Sequence, residues 1–201
     1  MKRPAATLDV SGLAPGAFGH RSILWWGTMG IILIEGMAFA LMFAAYFYLR
    51  LRNSTWPPGV PPPDLKWGTL NLVVLLSSAV PNELAKKAGE RVDLGAVRFW
   101  LVVCLAFGLA FNLIRILEFA TLNVLWSTNA YGSAVWLLLG LHTVHISTDV
   151  LDTGVLTLLI FTGPIEEKRF VDVSENAVYW YFVVLAWIPV YAVIYLAPRL
   201  T

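Results

Sequence analysis

Long apolar stretches, separated by short polar or proline-rich segments, run through nearly the whole sequence. An α-helix needs about 20 apolar residues to cross a hydrocarbon layer roughly 30 Å thick. Five stretches approach or exceed that length, at about residues 23–51, 67–85, 96–120, 131–161 and 177–197. The pattern predicts five transmembrane helices in an all-α, polytopic membrane helix bundle at residues 23–201, after an N-terminal segment at residues 1–22.

The second of these stretches is the weakest of the five. Asn71, Ser77 and Ser78 dilute its apolar character, and Pro81 is expected to end or kink its last turn, because proline cannot donate a backbone hydrogen bond. The four connectors are short and contain turn-forming residues, so none is expected to form a separate domain. They are predicted at residues 53–63, 86–93, 122–129 and 163–174.

Lysine and arginine are divided unequally between the two sides of the predicted bundle. Nine lie in the N-terminal segment or near the second-to-third and fourth-to-fifth connectors, whereas four lie at the opposite ends of the helices. Basic residues favour the cytoplasmic side, so the N-terminus is predicted to be cytoplasmic and the C-terminus periplasmic. Residues 4–20 hold no apolar run typical of a cleaved signal peptide, so the first helix is expected to direct insertion.

Composition supports a membrane protein and narrows its chemistry. Hydrophobic residues make up 58% of the 201-residue chain and charged residues 13%, which is more apolar than a soluble domain. The net charge of +1 comes from intermixed acids and bases, so no surface for nucleic acid is expected. The single cysteine, Cys104, excludes a disulfide within the chain, a two-cysteine copper centre and a C-x-x-C-H haem attachment site.

Ionisable side chains inside the apolar stretches are the main candidates for function, because each must face the bundle interior, find a partner or stay neutral. Glu35 lies near the middle of the first predicted helix, where it is either a protonatable or gating group or a neutral acid bonded to a neighbouring helix. Arg115 and Glu118 lie three residues apart on the third helix and can form an ion pair. A lipid headgroup is the alternative partner for Arg115.

The fourth predicted helix carries His142, His145, Asp149 and Asp152 on one stripe about 80° wide, since their spacing of 3, 4 and 3 residues follows the helical repeat. This stripe is expected to face inward. Two histidines and a carboxylate also suit a metal ion, but one helix rarely completes a coordination shell, and Glu35 would have to supply a further ligand. The residues therefore favour an interior hydrogen-bonded network, with no metal site and no catalytic residue.

Several short motifs surround these ionisable residues. They are IEGMAF followed by AAYF in the first helix, a WPPG loop, LN and SS in the second helix, Glu118, YGS, and GLHTVH. In order, they occupy residues 34–47, 56–59, 70–78, 118, 131–133 and 140–145. Together they resemble the signatures of cytochrome c oxidase subunit III, whose patterns include W-P-P-x-G, L-N-x-x-x-L-L-x-S and G-x-H-x-x-H.

This resemblance implies a non-redox subunit of a haem-copper terminal oxidase, located in the bacterial inner (plasma) membrane. The subunit is expected to pack beside catalytic subunit I, with subunit II as a further partner. Haem and copper are expected in those partners and not in this chain, whereas bound phospholipid is compatible with it. The implied roles are to stabilise subunit I, to keep proton uptake rapid and to shape the access of lipid or oxygen.

The resemblance and the helical stripe together predict the site residues. An interior, proton-associated network is expected to contain Glu35, Glu118, His142, His145, Asp149 and Asp152. Trp56 and Arg115 are candidates for contacts with lipid headgroups. Asp149 and Asp152 are not part of the family pattern.

Two departures from that pattern leave other functions open. The chain resembles a short bacterial form that lacks the first two of seven helices, and so lacks one wall of the lipid cleft of longer members. The last helix reads WYFVV at residues 180–184 where the family usually reads W-H-F-V-D. Alternatives are a homologous subunit of a quinol oxidase or nitric oxide reductase, an assembly factor, or an autonomous metalloenzyme that uses Glu35, His142, His145 and Asp149.

Overall fold

Five long helices form the bundle in the computed structural model, which describes residues 18–200. They are α1 (Ile23–Leu51), α2 (Leu65–Glu90), α3 (Leu94–Ala120), α4 (Ala130–Thr162) and α5 (Glu167–Tyr191). A 3₁₀ turn at Gly19–Arg21 precedes α1, and α5 continues into a π-helical turn at Ala192–Leu196 and a 3₁₀ turn at Ala197–Arg199. Residues 18–200 contain no β-strand, in agreement with the predicted all-α class.

Polar side chains fix where four of the helices begin. Ser22, Asp64, Asp93 and Asn129 each accept a hydrogen bond from a free backbone N–H in the first turn of α1, α2, α3 and α4, respectively. Such caps satisfy donors that would otherwise lack a partner at a helix end. The first-turn caps explain why the starts of α1, α3 and α4 lie within two residues of their predicted positions.

Two helix boundaries differ from the prediction. α2 continues through Pro81 to Glu90, and α5 begins at Glu167, ten residues before the predicted start. The C-terminal end of α2 carries the ion pairs Lys87–Glu83 and Lys86–Glu90, which support a helix without an apolar run. The first turns of α5 are amphipathic and bury side chains against the rest of the bundle. A search for continuous apolar runs misses both extensions.

The central helices of the bundle are α4 and α5. α2 packs mainly on α3 and α5, α3 also packs on α4, and α1 lies against α4 and α5. Only 11% of the most apolar stretch of α1 is buried within the chain, compared with 50% for α5. α1 is therefore a peripheral helix whose outer face needs lipid or another subunit to cover it.

Within residues 18–200, four helices are long and apolar enough to cross a membrane: α1, α3, α4, and α5 together with its terminal turns. α2 does not reach the same apolar threshold, consistent with its weak signal in the sequence. The fifth span and the orientation of the termini stay predictions. Most of the predicted N-terminal segment, residues 1–17, lies outside the described residues.

Candidate functional site

Glu35 on α1 meets His145 on α4 and Tyr179 on α5, and these three residues are here called the Glu35 cluster. Tyr179 donates its hydroxyl proton to Glu35 Oε2 at 2.7 Å. His145 Nε2 lies 3.5 Å from Glu35 Oε1. The Glu35 side chain retains 22% exposure and that of His145 10%, so the cluster lies at the edge of the interior.

A backbone contact of His145 orients its ring toward Glu35. His145 Nδ1 lies 2.6 Å from the carbonyl oxygen of Leu141, and because a carbonyl only accepts, Nδ1 carries the hydrogen. In a neutral imidazole, Nε2 then presents a lone pair to Glu35. The ring of His145 is thereby held with Nε2 facing the Glu35 carboxyl group.

A second buried group, the Arg115 cluster, comprises Arg115, Glu118, Asn71, Tyr195, His142 and Trp187. Arg115 Nη1 lies 2.9 Å from Glu118 Oε2, and the guanidinium carbon lies 4.0 Å from the centre of the Trp187 ring. Glu118 also accepts a hydrogen bond from Asn71 Nδ2 at 2.6 Å and one from the Tyr195 hydroxyl. The predicted ion pair on α3 thus exists, and it ties α2, α3 and α5 together.

His142 completes the Arg115 cluster as a neutral ring. Its Nε2 lies 3.0 Å from the carbonyl oxygen of Val183 and must donate to it. Its Nδ1 accepts from Arg115 Nη2 at 3.3 Å, since arginine can only donate. One full positive charge therefore faces one carboxylate in a region shielded from water.

The stripe predicted on α4 is divided between the two clusters. His142 joins Arg115, whereas His145 joins Glu35, and the ring of Phe39 lies between them, 6.4 Å from His142 and 5.2 Å from His145 between ring centres. Further along the stripe, Asp149 is buried, but Asp152 is exposed. The expectation of a buried Asp152 is wrong because the stripe reaches an open cleft at this depth.

The two lipid-headgroup candidates are buried instead. Arg115 is 1% exposed, and its guanidinium pairs with Glu118 and stacks on Trp187. Trp56 is 8% exposed, donates its indole N–H to the Tyr46 hydroxyl at 2.9 Å and packs edge-on against Tyr46 and Tyr131. Neither residue has a polar end that faces the outside of the chain, in contrast to the predicted contacts with lipid headgroups.

Several partners in these clusters were not identified from the sequence. Tyr179, Asn71 and Tyr195 are polar groups within or beside apolar stretches, which is the available signal that each needs a partner. Their partners lie on other helices, as with Tyr179 and Glu35, which are 144 residues apart. Sequence spacing within one helix cannot reveal such pairs.

The unusual last-helix motif has its own contacts. Trp180 Nε1 donates to Ser78 Oγ at 2.9 Å, and the Tyr181 hydroxyl donates to Glu83 Oε2 at 2.7 Å. Val184 is 3% exposed and packs in the apolar core. Tyr181 and Val184 therefore connect α5 to α2 and fill the core.

The acidic and histidine side chains of the bundle are spread over separate contacts. Across residues 18–200, no three His, Cys, Asp or Glu side chains converge in a way that could hold a metal ion. His142 and His145 point to different partners, which explains why they do not form a ligand pair.

Comparisons with known proteins agree with the motifs. The family model described as cytochrome c oxidase subunit III matches residues 17–198. Cytochrome c oxidase subunit 3 of Thermostichus vulcanus is 26% identical over 91% of this chain and 92% of its own length. Cytochrome c oxidase subunit 3 of Synechocystis is 27% identical over 92% of this chain and 80% of its own length. A probable subunit 3 of Mycobacterium tuberculosis is 31% identical over 84% of this chain and 85% of its own length. The chain, a helical bundle with several membrane-spanning helices, belongs to the cytochrome c oxidase subunit III family.

Proposed function

We propose that this chain is the non-redox subunit III of a haem-copper terminal oxidase that reduces oxygen in aerobic respiration. The family match across residues 17–198 is the observation that carries the proposal. The chain packs against the catalytic subunit I, and subunit II belongs to the same assembly. Haem and copper reside in those partners.

The geometry supports a scaffold role. The polar groups of the Arg115 cluster are turned toward one another, and the Glu35 cluster joins α1, α4 and α5 by side-chain contacts. α1 leaves a long apolar face uncovered within the chain, with Leu33, Met37 and Leu41 each more than half exposed. A hydrophobic face of this size suits contact with a membrane-embedded partner or with lipid.

The same proposal includes five membrane spans in a bacterial inner membrane, with a cytoplasmic N-terminus. α2 supports a fifth span, because its 26 residues pack along α3 and α5 and match the thickness of a bilayer. The distribution of lysine and arginine supports the orientation. A C-terminal reporter active only in the periplasm tests it, since a signal is expected with five spans and none with four.

Within the complex, this subunit stabilises subunit I, supports its proton uptake and shapes its lipid and oxygen environment. The carboxyl group of Glu35 and the imidazole of His145, which face each other, are the feature of the chain that suits a proton-associated role. Phospholipid is a candidate ligand of the uncovered apolar faces. No side chain of this subunit is assigned a catalytic step.

Co-purification tests the proposal directly. The tagged chain, isolated from its native membrane in mild detergent, is expected to bring with it a haem-bearing subunit I that oxidises cytochrome c and consumes oxygen. A tagged, unrelated multi-pass protein from the same membrane serves as the control. A chain that purifies alone and stays folded contradicts the proposal, and a partner that uses quinol or nitric oxide replaces it with one of the alternative complexes.

A further inference from the structure

A cleft with a volume of about 550 Å³ lies between α1, α4 and α5. It runs from the N-terminal end of α1, near Leu24, to Glu35, which are 11 residues or roughly 16 Å apart along the helix. One wall is apolar, with Ile31 and Leu159 among its residues. The cleft therefore connects the end of the bundle with the Glu35 cluster.

The remaining lining of the cleft is acidic. Five carboxyl groups face it, and Arg169 is the one basic side chain among its lining residues. The acids are Glu35, Asp149, Asp152, Asp172 and Glu175. Five carboxyl groups beside a single guanidinium disfavour one another's charged forms, most strongly at the buried positions, where water screens the charges least.

Two of these acids are buried and have oxygen atoms that lack a hydrogen-bond partner. Asp149 is 2% exposed and Glu175 is 6% exposed. Asp149 Oδ2 and both carboxyl oxygens of Glu175 have no partner among residues 18–200. Because an unpaired buried carboxylate is strongly unfavourable, each group needs a proton, water, or both from the cleft it faces.

The contacts of Asn176 connect the two aspartates of the cleft. Its Nδ2 lies 3.4 Å from Asp149 Oδ1, 3.3 Å from Asp152 Oδ2 and 3.1 Å from Thr153 Oγ1. An amide nitrogen carries two hydrogens, so it cannot serve three acceptors at once. The Thr153 hydroxyl donates to Asn176 Oδ1 at 3.2 Å, so the two amide hydrogens serve Asp149 Oδ1 and Asp152 Oδ2, and Asp149 Oδ2 is left without a partner.

Water fits this cleft better than a metal ion. The volume has room for more than ten water molecules at roughly 30 Å³ each. A buried, hydrated site also requires several polar partners, which the acids and Asn176 supply. The described acids do not converge into a set that could hold a metal.

We propose that the α1–α4–α5 cleft is a hydrated proton-exchange site, in which Asp149 stores a proton and passes it through water to the Glu35 cluster. When Asp149 releases its proton, it becomes a carboxylate and Glu35 or His145 becomes protonated. Water at the exposed mouth, beside Asp152, then returns a proton to Asp149. Only protons move, and no electron transfer is involved.

Charged and titratable groups from four helices surround Asp149 and take part in this balance. Glu35 comes from α1, Cys104 from α3, and Asp152 and His145 from α4. The largest number of these groups comes from α5. The groups of α5 are Arg169, Asp172, Glu175 and Tyr179.

A matched pair of cysteine variants tests whether the cleft holds water. Ile31 lines the cleft and Leu33 lies at nearly the same depth on the opposite face of α1, and both are exposed within the chain. In a background with Cys104→Ser, a cationic water-soluble thiol reagent is expected to modify Ile31→Cys at least about tenfold faster than Leu33→Cys, because the thiolate forms in water. Equal rates for the two variants overturn the proposal.

Infrared spectroscopy of the intact complex tests the stored proton. The carbonyl band of protonated carboxyl groups is expected to shift on transfer to D₂O and to lose one component in Asp149→Asn. Glu166→Gln, an exposed acid outside the cleft, is the control and keeps the full band.

The proposal is overturned if the carbonyl band of protonated carboxyl groups does not shift in D₂O, or if it is unchanged in Asp149→Asn. If Asp149→Asn fails to assemble, the D₂O shift of the unsubstituted complex and the Ile31 and Leu33 pair still decide it. Neither measurement depends on turnover, so their failure leaves the proposed oxidase function untouched.

Discussion

The guanidinium carbon of Arg115 lies 4.0 Å from the centre of the Trp187 ring, so a cation on α3 is stacked on an aromatic face of α5. The ring of Phe111 contacts the same guanidinium at 4.8 Å. Stacking of this kind partly replaces the water that a buried arginine loses. The remaining charge is balanced by Glu118, which makes the bundle sensitive to any change in that carboxylate.

We predict that Glu118→Gln lowers the free energy of unfolding by about 3–5 kcal/mol, the typical cost of leaving one partner of a buried ion pair uncompensated. The glutamine carbonyl can still accept from Asn71 Nδ2 and face Arg115, but it carries no charge to balance the guanidinium. Equilibrium unfolding of the purified protein in detergent measures the change.

The exposed pair Lys86–Glu90 provides the matched control for that experiment. Its atoms lie 3.9 Å apart with both side chains at least 30% exposed, so Glu90→Gln is expected to change stability by less than about 1 kcal/mol. If the two glutamine variants have equal stability, Arg115 is not held as a buried cation by Glu118.

A second prediction concerns turnover. Glu35→Gln or Glu35→Ala is expected to leave assembly of the complex largely intact but to shorten sustained oxygen consumption, because the carboxyl group that faces His145 and accepts from Tyr179 is lost. Tyr179→Phe, which removes the hydrogen bond to Glu35 Oε2, is expected to have a weaker effect in the same direction.

Oxygen consumption over many turnovers, compared with the initial rate, measures this effect. Tyr48→Phe on the exposed side of α1 is the control and is expected to behave like the unsubstituted protein. Unchanged activity of both Glu35 variants under prolonged cycling argues against a functional role for the pair.

The sequence predicted the helices well where apolar residues decide their limits. α1 matches the predicted residues 23–51, and α3 and α4 differ by at most two residues at either end. The prediction failed where a helix leaves the apolar layer, as α2 does after Pro81 and α5 does before residue 177. There, ion pairs and one-sided burial maintain the helix, and neither produces a continuous apolar run.

The site was predicted only in part. The ion pair Arg115–Glu118 follows from helical spacing, and the approach of Glu35 to a histidine follows from their similar depth. The division of the two histidines between separate clusters could not be foreseen, because it depends on Phe39 packing between them from α1. The burial of Trp56 likewise depends on Tyr46 and Tyr131, which lie on different helices.

A third prediction addresses the divergent last helix. Tyr181→Phe removes the hydroxyl that donates to Glu83 Oε2 at 2.7 Å and is expected to lower the free energy of unfolding by about 0.5–1.5 kcal/mol. The free energy of unfolding in detergent is measured for the unsubstituted protein, Tyr181→Phe, Glu83→Gln and the double variant. These four values form a double-mutant cycle. A coupling energy of zero means that the bond contributes nothing to the packing of α5 on α2.

The last prediction uses two glycines with opposite surroundings. A Cβ atom at Gly68 of α2 would lie 2.5 Å from Cζ of Tyr195, closer than such atoms approach in proteins, whereas one at Gly140 of α4 meets no atom within 4 Å. Gly68→Ala must displace the Tyr195 ring, whose hydroxyl bonds to Glu118, and is expected to destabilise the protein by about 1–3 kcal/mol. Gly140→Ala is expected to be neutral or to stabilise by up to about 1 kcal/mol, because alanine favours helix. Unfolding of both variants in detergent measures the difference, and equal stabilities would show that Tyr195 is free to move away from the buried carboxylate at little cost.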